Sequence, residues 1–280
     1  RSVLWGTNDA GLWWSQWDLM RKTGFNCFLT HPEPMNFQRY ALSDFRPFVY
    51  AYRICGGADE KGWRKATFGP SVGDDSFSSP AWREAAKAEL QRRIAPCPPV
   101  GPEVYSLGDE NELDLNSGFS PSDEAMFRVW LREQYRTLED LNQSWGTAFA
   151  SWDDVRPMDR REALQAREYA RISDHMSFLE WQYADIHGAM RDWIREVDPG
   201  AAVGAEGSMP GDLELSLGNL EMWSPYSWLR LDVLQMSLAR PEVIYGNWWG
   251  GYVGSHGGRQ ATPVLWEHLL RGLNTSLWFA

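Results

Sequence analysis

The stretch Glu103-Val-Tyr-Ser-Leu-Gly-Asp-Glu110-Asn-Glu112 passes within ten residues from an apolar run to a crowd of carboxylates. Val104, Tyr105 and Leu107 have the composition of a short buried strand, and Gly108 closes it. A strand that empties into a polar loop is the unit from which parallel α/β sheets are built, because strand-to-helix connections collect the working residues on one face.

Working outward, short β-like runs alternate with helical patterns along the whole chain. Strands are predicted over 2–6, 26–30, 48–53, 103–107, 201–205, 231–236, 242–245 and 275–279. Trp13, Trp17 and Met20 recur at helical spacing after the first. Ser79-Pro80 opens a helix, with Ser as N-cap, Pro at the first helical position, and Trp82, Ala86, Leu90 and Ile94 as its buried stripe. The strongest helical pattern runs from Ile172 through Met176, Leu179, Tyr183, Ile186, Met190 and Trp193 to Val197, where Asp198-Pro199-Gly200 stops it. A further helix is expected around Pro263 to Arg271. Eight strands in 280 residues predict an α/β fold, a (β/α)8 TIM barrel, which typically needs about 250 residues. The extra length falls after strand four: residues 113–160 read as a helical insertion, opened by Ser120-Pro121, within a single barrel domain over 1–280.

Composition narrows the function. The net charge is −11 and no Lys/Arg run exceeds two residues, so no nucleic-acid partner is expected. No apolar stretch approaches the roughly 20 residues that span a bilayer, and no membrane partner is expected. Cys27, Cys55 and Cys97 have no zinc or CxxC spacing, and the histidines make no HxH or HExxH pattern, so no metal or organic cofactor is called for. There is no P-loop, GxGxxG or GxSxG. The chain begins at Arg1 without Met or an apolar leader, which reads as a processed or excised piece of something longer; compartment stays open. Trp is over-represented at 17 residues and serves either as core or as a platform for the C–H faces of sugars. In pairs such as Trp248-Trp249, neighbours point to opposite sides.

In a barrel the strand ends carry the chemistry. They supply Trp5, Asn8 and Asp9 after strand one, His31 and Glu33 after two, Arg53 after three, and Asp109, Glu110 and Glu112 after four. Glu206 follows strand five, Asn247 and Trp248 strand seven, and Trp278 strand eight. Carboxylates crowded beside aromatic rings repel one another and resist ionisation, so at least one should keep its proton near neutrality and act as a general acid. Arg53 suits a structural ion pair or the holding of a carboxylate or sugar hydroxyl.

The run from Tyr105 to Glu110, with Phe127-Arg-Val-Trp-Leu-Arg-Glu-Gln-Tyr135, Thr137-Leu-Glu-Asp-Leu-Asn-Gln-Ser-Trp-Gly146 and Trp152-Asp-Asp-Val-Arg-Pro157, resembles glycoside hydrolase family 42 of clan A, a family of retaining β-galactosidase-type barrels. The resemblance is close over about 50 residues and otherwise agrees in strand order. It implies hydrolysis of β-linked glycosides, β-galactosides or a related saccharide, with a carbohydrate partner and a homo-oligomer left open. The family's strand-four acid/base Glu falls on Glu110, with Asp109 in place of the preceding Asn; the literal Asn111-Glu112 is the alternative, two residues and about 6 to 7 Å further along. The family's strand-seven nucleophile has no counterpart here, since the strand end reads Tyr245-Gly-Asn-Trp-Trp-Gly250. Glu206 is the best substitute. A different strand assignment, or a barrel that has lost hydrolysis and only binds glycans, also fits the missing carboxylate. On the enzyme reading, Trp5, Trp248 and Trp278 stack on sugar, while Asn8, His31, Arg53 and Asn247 bond hydroxyls.

Overall fold

The computed structural model describes residues 2–5, 18–33, 44–226, 229–238, 240–250 and 261–279. Among the described residues there are ten strands: β1 (Ser2–Trp5), β2 (Cys27–Thr30), β3 (Arg46–Tyr50), β4 (Gly56–Ala58), β5 (Arg64–Ala66), β6 (Val104–Asp109), β7 (Val203–Glu206), β8 (Met222–Ser224), β9 (Ile244–Gly250) and β10 (Thr275–Phe279). Eight of them close a parallel barrel in the order β1-β2-β3-β6-β7-β8-β9-β10, and β10 pairs back onto β1. β4 and β5 form a separate antiparallel hairpin beyond β3.

The described helices include α1 (Pro80–Ile94), α2 (Pro121–Gln134), α3 (Leu138–Trp145), α4 (Arg160–Ala166), α5 (Tyr169–Arg195), α6 (Leu213–Gly218), α7 (Leu229–Ser237) and α8 (Ala261–Leu270). Local sequence explains their ends. Ser79, Ser120 and Thr137 each accept a backbone N–H at an N-cap, and Gly146 ends α3 in the left-handed region. Trp82, Ala86, Leu90 and Ile94 are the fully buried stripe of α1; Leu90 and Ile94 each contribute about 1.5 to 3 kcal/mol by leaving water.

Strand side chains alternate between two environments. Val3, Leu29, Phe48, Val104, Ile244 and Leu277 point into the barrel, whereas Val49, Tyr105, Leu107, Val203 and Trp223 pack outward against α1 and α5. That parity decides which strand-end residues reach the mouth.

The sixth strand is not where periodicity put it. Residues 231–236 lie in helix α7, and the strand is Met222–Ser224. The buried face of α7 is polar: Asp232 and Gln235 have no exposed surface, while Val233 is 57% exposed. The Gln235 amide donates to the carbonyls of Trp223 and Gly246, 3.0 Å each. A helix held to the barrel by polar anchors has an inverted hydrophobic pattern, and its apolar residues then imitate a strand.

Candidate active site

At the end of β6 the chain departs from regular pairing. Ser106 is opposite Gly204, yet Asp109 is opposite Glu206, so β6 carries one extra residue there. Gly108, at φ 124°, makes this possible: a Cβ would stand 2.5 Å from Asn111 Oδ1 and 2.8 Å from Arg53 Cα. Glu110 follows at φ 51°, a conformation that a non-glycine residue rarely holds without compensating contacts. Its N–H donates to the Glu206 carbonyl at 3.3 Å, its side chain is exposed, and its Oε1 accepts the hydroxyl of Tyr226.

Two neighbouring carboxyls resist ionisation. Asp109 is half-buried and pushed up to about 6, by burial first and then by the Glu110 charge, with Arg53 and a backbone N–H opposing. Glu206 has no exposed surface and is pushed up to about 8; burial dominates, the Asp109 charge adds to it, and Ser106 and Trp248 oppose. Those two groups lie close enough to favour the anion, yet neither Glu206 oxygen closes a hydrogen bond. Of the two, Glu206 resists ionisation more strongly, because it is the more deeply buried. Glu206 is at the predicted strand end, opposite Asp109 in register and with no exposed surface.

Aromatic rings wall the mouth. Trp5 meets Trp248 and Phe279 edge-on at 5.6 and 5.2 Å between ring centroids, and His31 meets Tyr50 edge-on at 5.3 Å. Burial lowers the His31 pKa, against the Glu33 charge, which raises it, and with the Arg93 charge, which lowers it further. Tyr50 accepts the Asp109 N–H at 3.2 Å, and the Arg53 charge acts on both Tyr50 and Asp109. Trp5, His31, Arg53, Asp109, Glu110 and Trp248 are thus gathered at one end of the barrel. Asn8 lies outside the described residues.

Three assignments are corrected. Glu112 turns away from the mouth: its carboxylate accepts the Gly56 N–H at 2.9 Å and lines a cavity of about 740 Å³ shared with Arg160, Tyr169 and Met176. Its neighbour Asn111 is a buried bracket, accepting from Ile54 N at 3.0 Å, so the literal Asn-Glu pair belongs to the scaffold. Asn247 and Trp278 have the outward parity of their strands. Asn247 is fully buried, donating to Asp232 and lying 3.1 Å from His268 Nδ1, and Trp278 stacks on Trp249 at 5.9 Å. The pair Trp248-Trp249 does split, one ring inside and one outside.

Sequence reasoning passed over Tyr50, Ser224, Tyr226 and Phe279. Tyr50 and Phe279 were legible from parity within their strands. Tyr226 was hidden because it follows β8, the misplaced strand. Among the described residues no group of His, Cys, Asp and Glu could hold a metal ion.

A family model described as beta-galactosidase, that of glycoside hydrolase family 42, matches residues 64–215. The beta-galactosidase BbgII of Bifidobacterium bifidum is 30% identical over 130 residues, 44% of this chain and 19% of that protein. Two solved beta-galactosidases share the fold. That of Bacillus circulans sp. alkalophilus has a TM-score of 0.70 at 14% identity, covering 99% of this chain and 49% of its own. That of Marinomonas ef1 has a TM-score of 0.70 at 16% identity, covering 99% and 53%. The chain spans about half the length of these solved relatives.

Proposed function

Because the chain belongs to glycoside hydrolase family 42, we propose that it is the barrel of a glycosidase hydrolysing β-linked glycosides, β-galactosides or a related saccharide, with Glu110 as general acid. One observation carries the reading: at the end of the fourth barrel strand a carboxylate is exposed to an aromatic-walled mouth and gripped by a tyrosine from the sixth. Glu110 protonates the glycosidic oxygen as the bond to the anomeric carbon breaks. The positive charge developing on the sugar is then stabilised by carboxylate. Trp5 and Phe279 offer flat faces to the sugar, and His31 and Arg53 offer hydrogen bonds; Trp248, expected as a third platform, is fully buried in the barrel interior and instead packs edge-on behind Trp5.

The family resemblance implies retention, which needs a second carboxylate about 5 to 5.5 Å from Glu110, whereas inversion needs about 6.5 to 9.5 Å. β9 carries no carboxylate from Ile244 to Gly250. Asp109, half-buried at the mouth, is the carboxylate we assign to that role. On this reading 113–160, with α2 and α3, is an insertion in one barrel domain.

The test uses β-galactosides whose leaving groups differ in acidity. Glu110→Ala should slow substrates with poor leaving groups by about 10²- to 10⁴-fold, and nitrophenyl galactosides far less, since these leave without a proton. Equal rates in wild type and variant on both substrates would reject Glu110. The missing β9 carboxylate also favours a second reading, a barrel that binds glycans without cleaving them. Binding with no products across a glycan panel would select it.

A further inference from the structure

Five buried side-chain atoms at the ends of β6 to β9 make no hydrogen bond among the described residues: Asp109 Oδ1, both carboxyl oxygens of Glu206, Ser224 Oγ and Trp248 Nε1. Buried polar groups are nearly always paired, and several orphans in one place mark a functional constellation. These belong together. Asp109 is the register partner of Glu206 across β6 and β7, and Glu206 that of Ser224 across β7 and β8, so the three stand about 4.8 Å apart strand to strand. Gly207, at φ 64°, clears the space between the acids, because a Cβ there would lie 2.2 Å from Asp109 Oδ1.

The charges around the pair make the two acids unequal. Arg53 acts on Asp109 and on Tyr50, the β3 hydroxyl beside both carboxyls, but not on Glu206. Glu206 faces Ser106, Trp248 and Asp109, with no cation among them. Glu110, the other charge at Asp109, discourages its ionisation.

We propose that Glu206 is a positioning residue, the neutral half of a carboxyl pair with Asp109, whose O–H donates to Asp109 Oδ1 and holds the Asp109 anion toward the sugar. An acid-to-anion hydrogen bond of this kind satisfies two of the orphaned groups at once and is among the stronger ones available. Its use in catalysis rests on the hydrolase reading; its existence does not. Asp109 loses its proton at about pH 6, while Glu206 is still neutral, and the resulting anion then helps hold Glu206 protonated to about pH 8.

The experiment combines infrared titration of the carboxyl C=O band with pH profiles of kcat/KM on nitrophenyl β-galactoside. In the wild type one buried carboxyl should stay protonated through pH 7 and lose its proton near pH 8. Glu206→Gln should lose that band and the alkaline limb it causes, keep the acid limb near pH 6, and retain activity at pH 7, because the amide still donates. Glu206→Leu, with no donor, should lose about tenfold or more. Asp109→Asn should move that proton loss to lower pH by removing the anion; this half-exposed position tests the pair independently should the Glu206 variants not fold. A wild type with no protonated carboxyl at pH 7, or a Glu206→Gln variant that keeps the band, overturns the proposal. The expected infrared pattern in a protein without turnover sustains the pair and rejects hydrolysis instead.

Discussion

Tyr226 donates its hydroxyl to a carboxylate from a different strand, and the backbone on both sides explains why the bond forms. Tyr226 is bridged to Trp248 in parallel fashion, and Glu110 is pinned through its own N–H to the Glu206 carbonyl. Two fixed main chains present the two side chains to each other, so little freedom is lost in joining them. A hydrogen bond to a charged group contributes about 1.5 to 3 kcal/mol. Tyr226→Phe should therefore lower kcat by about tenfold or more while KM moves much less, as steady-state kinetics on a β-galactoside would report. A larger change in KM than in kcat would mean that Tyr226 serves binding rather than the orientation of Glu110.

Behind β9, α7 and α8 are tied to the barrel by buried charge as well as by the apolar contacts of Leu231 and Met236. Asp232 accepts from Asn247, lies 2.9 Å from Arg271 and 3.2 Å from His268, and has no exposed surface. Removing the acid leaves a cation, an imidazole and an amide without their common partner. Asp232→Ala should cost about 3 to 5 kcal/mol of stability. At about 2 to 4 °C for each kcal/mol, that is a fall in Tm visible in a thermal melt, and an unchanged Tm would show the network to be dispensable. The same network is why this part of the chain was misread. Hydrophobic periodicity assumes that buried faces are apolar, and α7 buries Asp232 and Gln235 instead. Where the anchoring face is apolar, as in α1, the predicted stripe of Trp82, Ala86, Leu90 and Ile94 is the observed one.

Across the whole molecule, buried titratable groups pull stability in opposite directions with pH. Glu206 rises from its ordinary 4.5 to about 8, so the unfolded chain sheds a proton that the fold retains, and stability is lost as pH climbs from 4.5 through 8. Asp109, raised from 3.8 to about 6, adds to this over its own range. His175 and His187, lowered by burial from 6.5 to about 4, act the other way: their contribution is full above 6.5 and lost as pH falls toward 4. The two trends offset between about pH 4.5 and 6.5, and Glu206 acts unopposed above that. Tm should be nearly level over the lower range and decline toward pH 8, and Glu206→Gln should abolish the decline; a decline of equal size in the variant would exclude Glu206 as its source. Through short-range signals the amino-acid sequence by itself determined the barrel and the helix starts: caps at Ser79 and Ser120, stops at Pro199-Gly200, and seven of the eight barrel strands. It also singled out the acidic end of strand four. Only the tertiary structure decided which acids share the mouth, because that depends on strand parity around a closed ring and on one extra residue between Ser106 and Asp109. Parity sends Asn247 and Trp278 outward, the bulge turns Asp109 toward Glu206, and neither follows from distance along the chain.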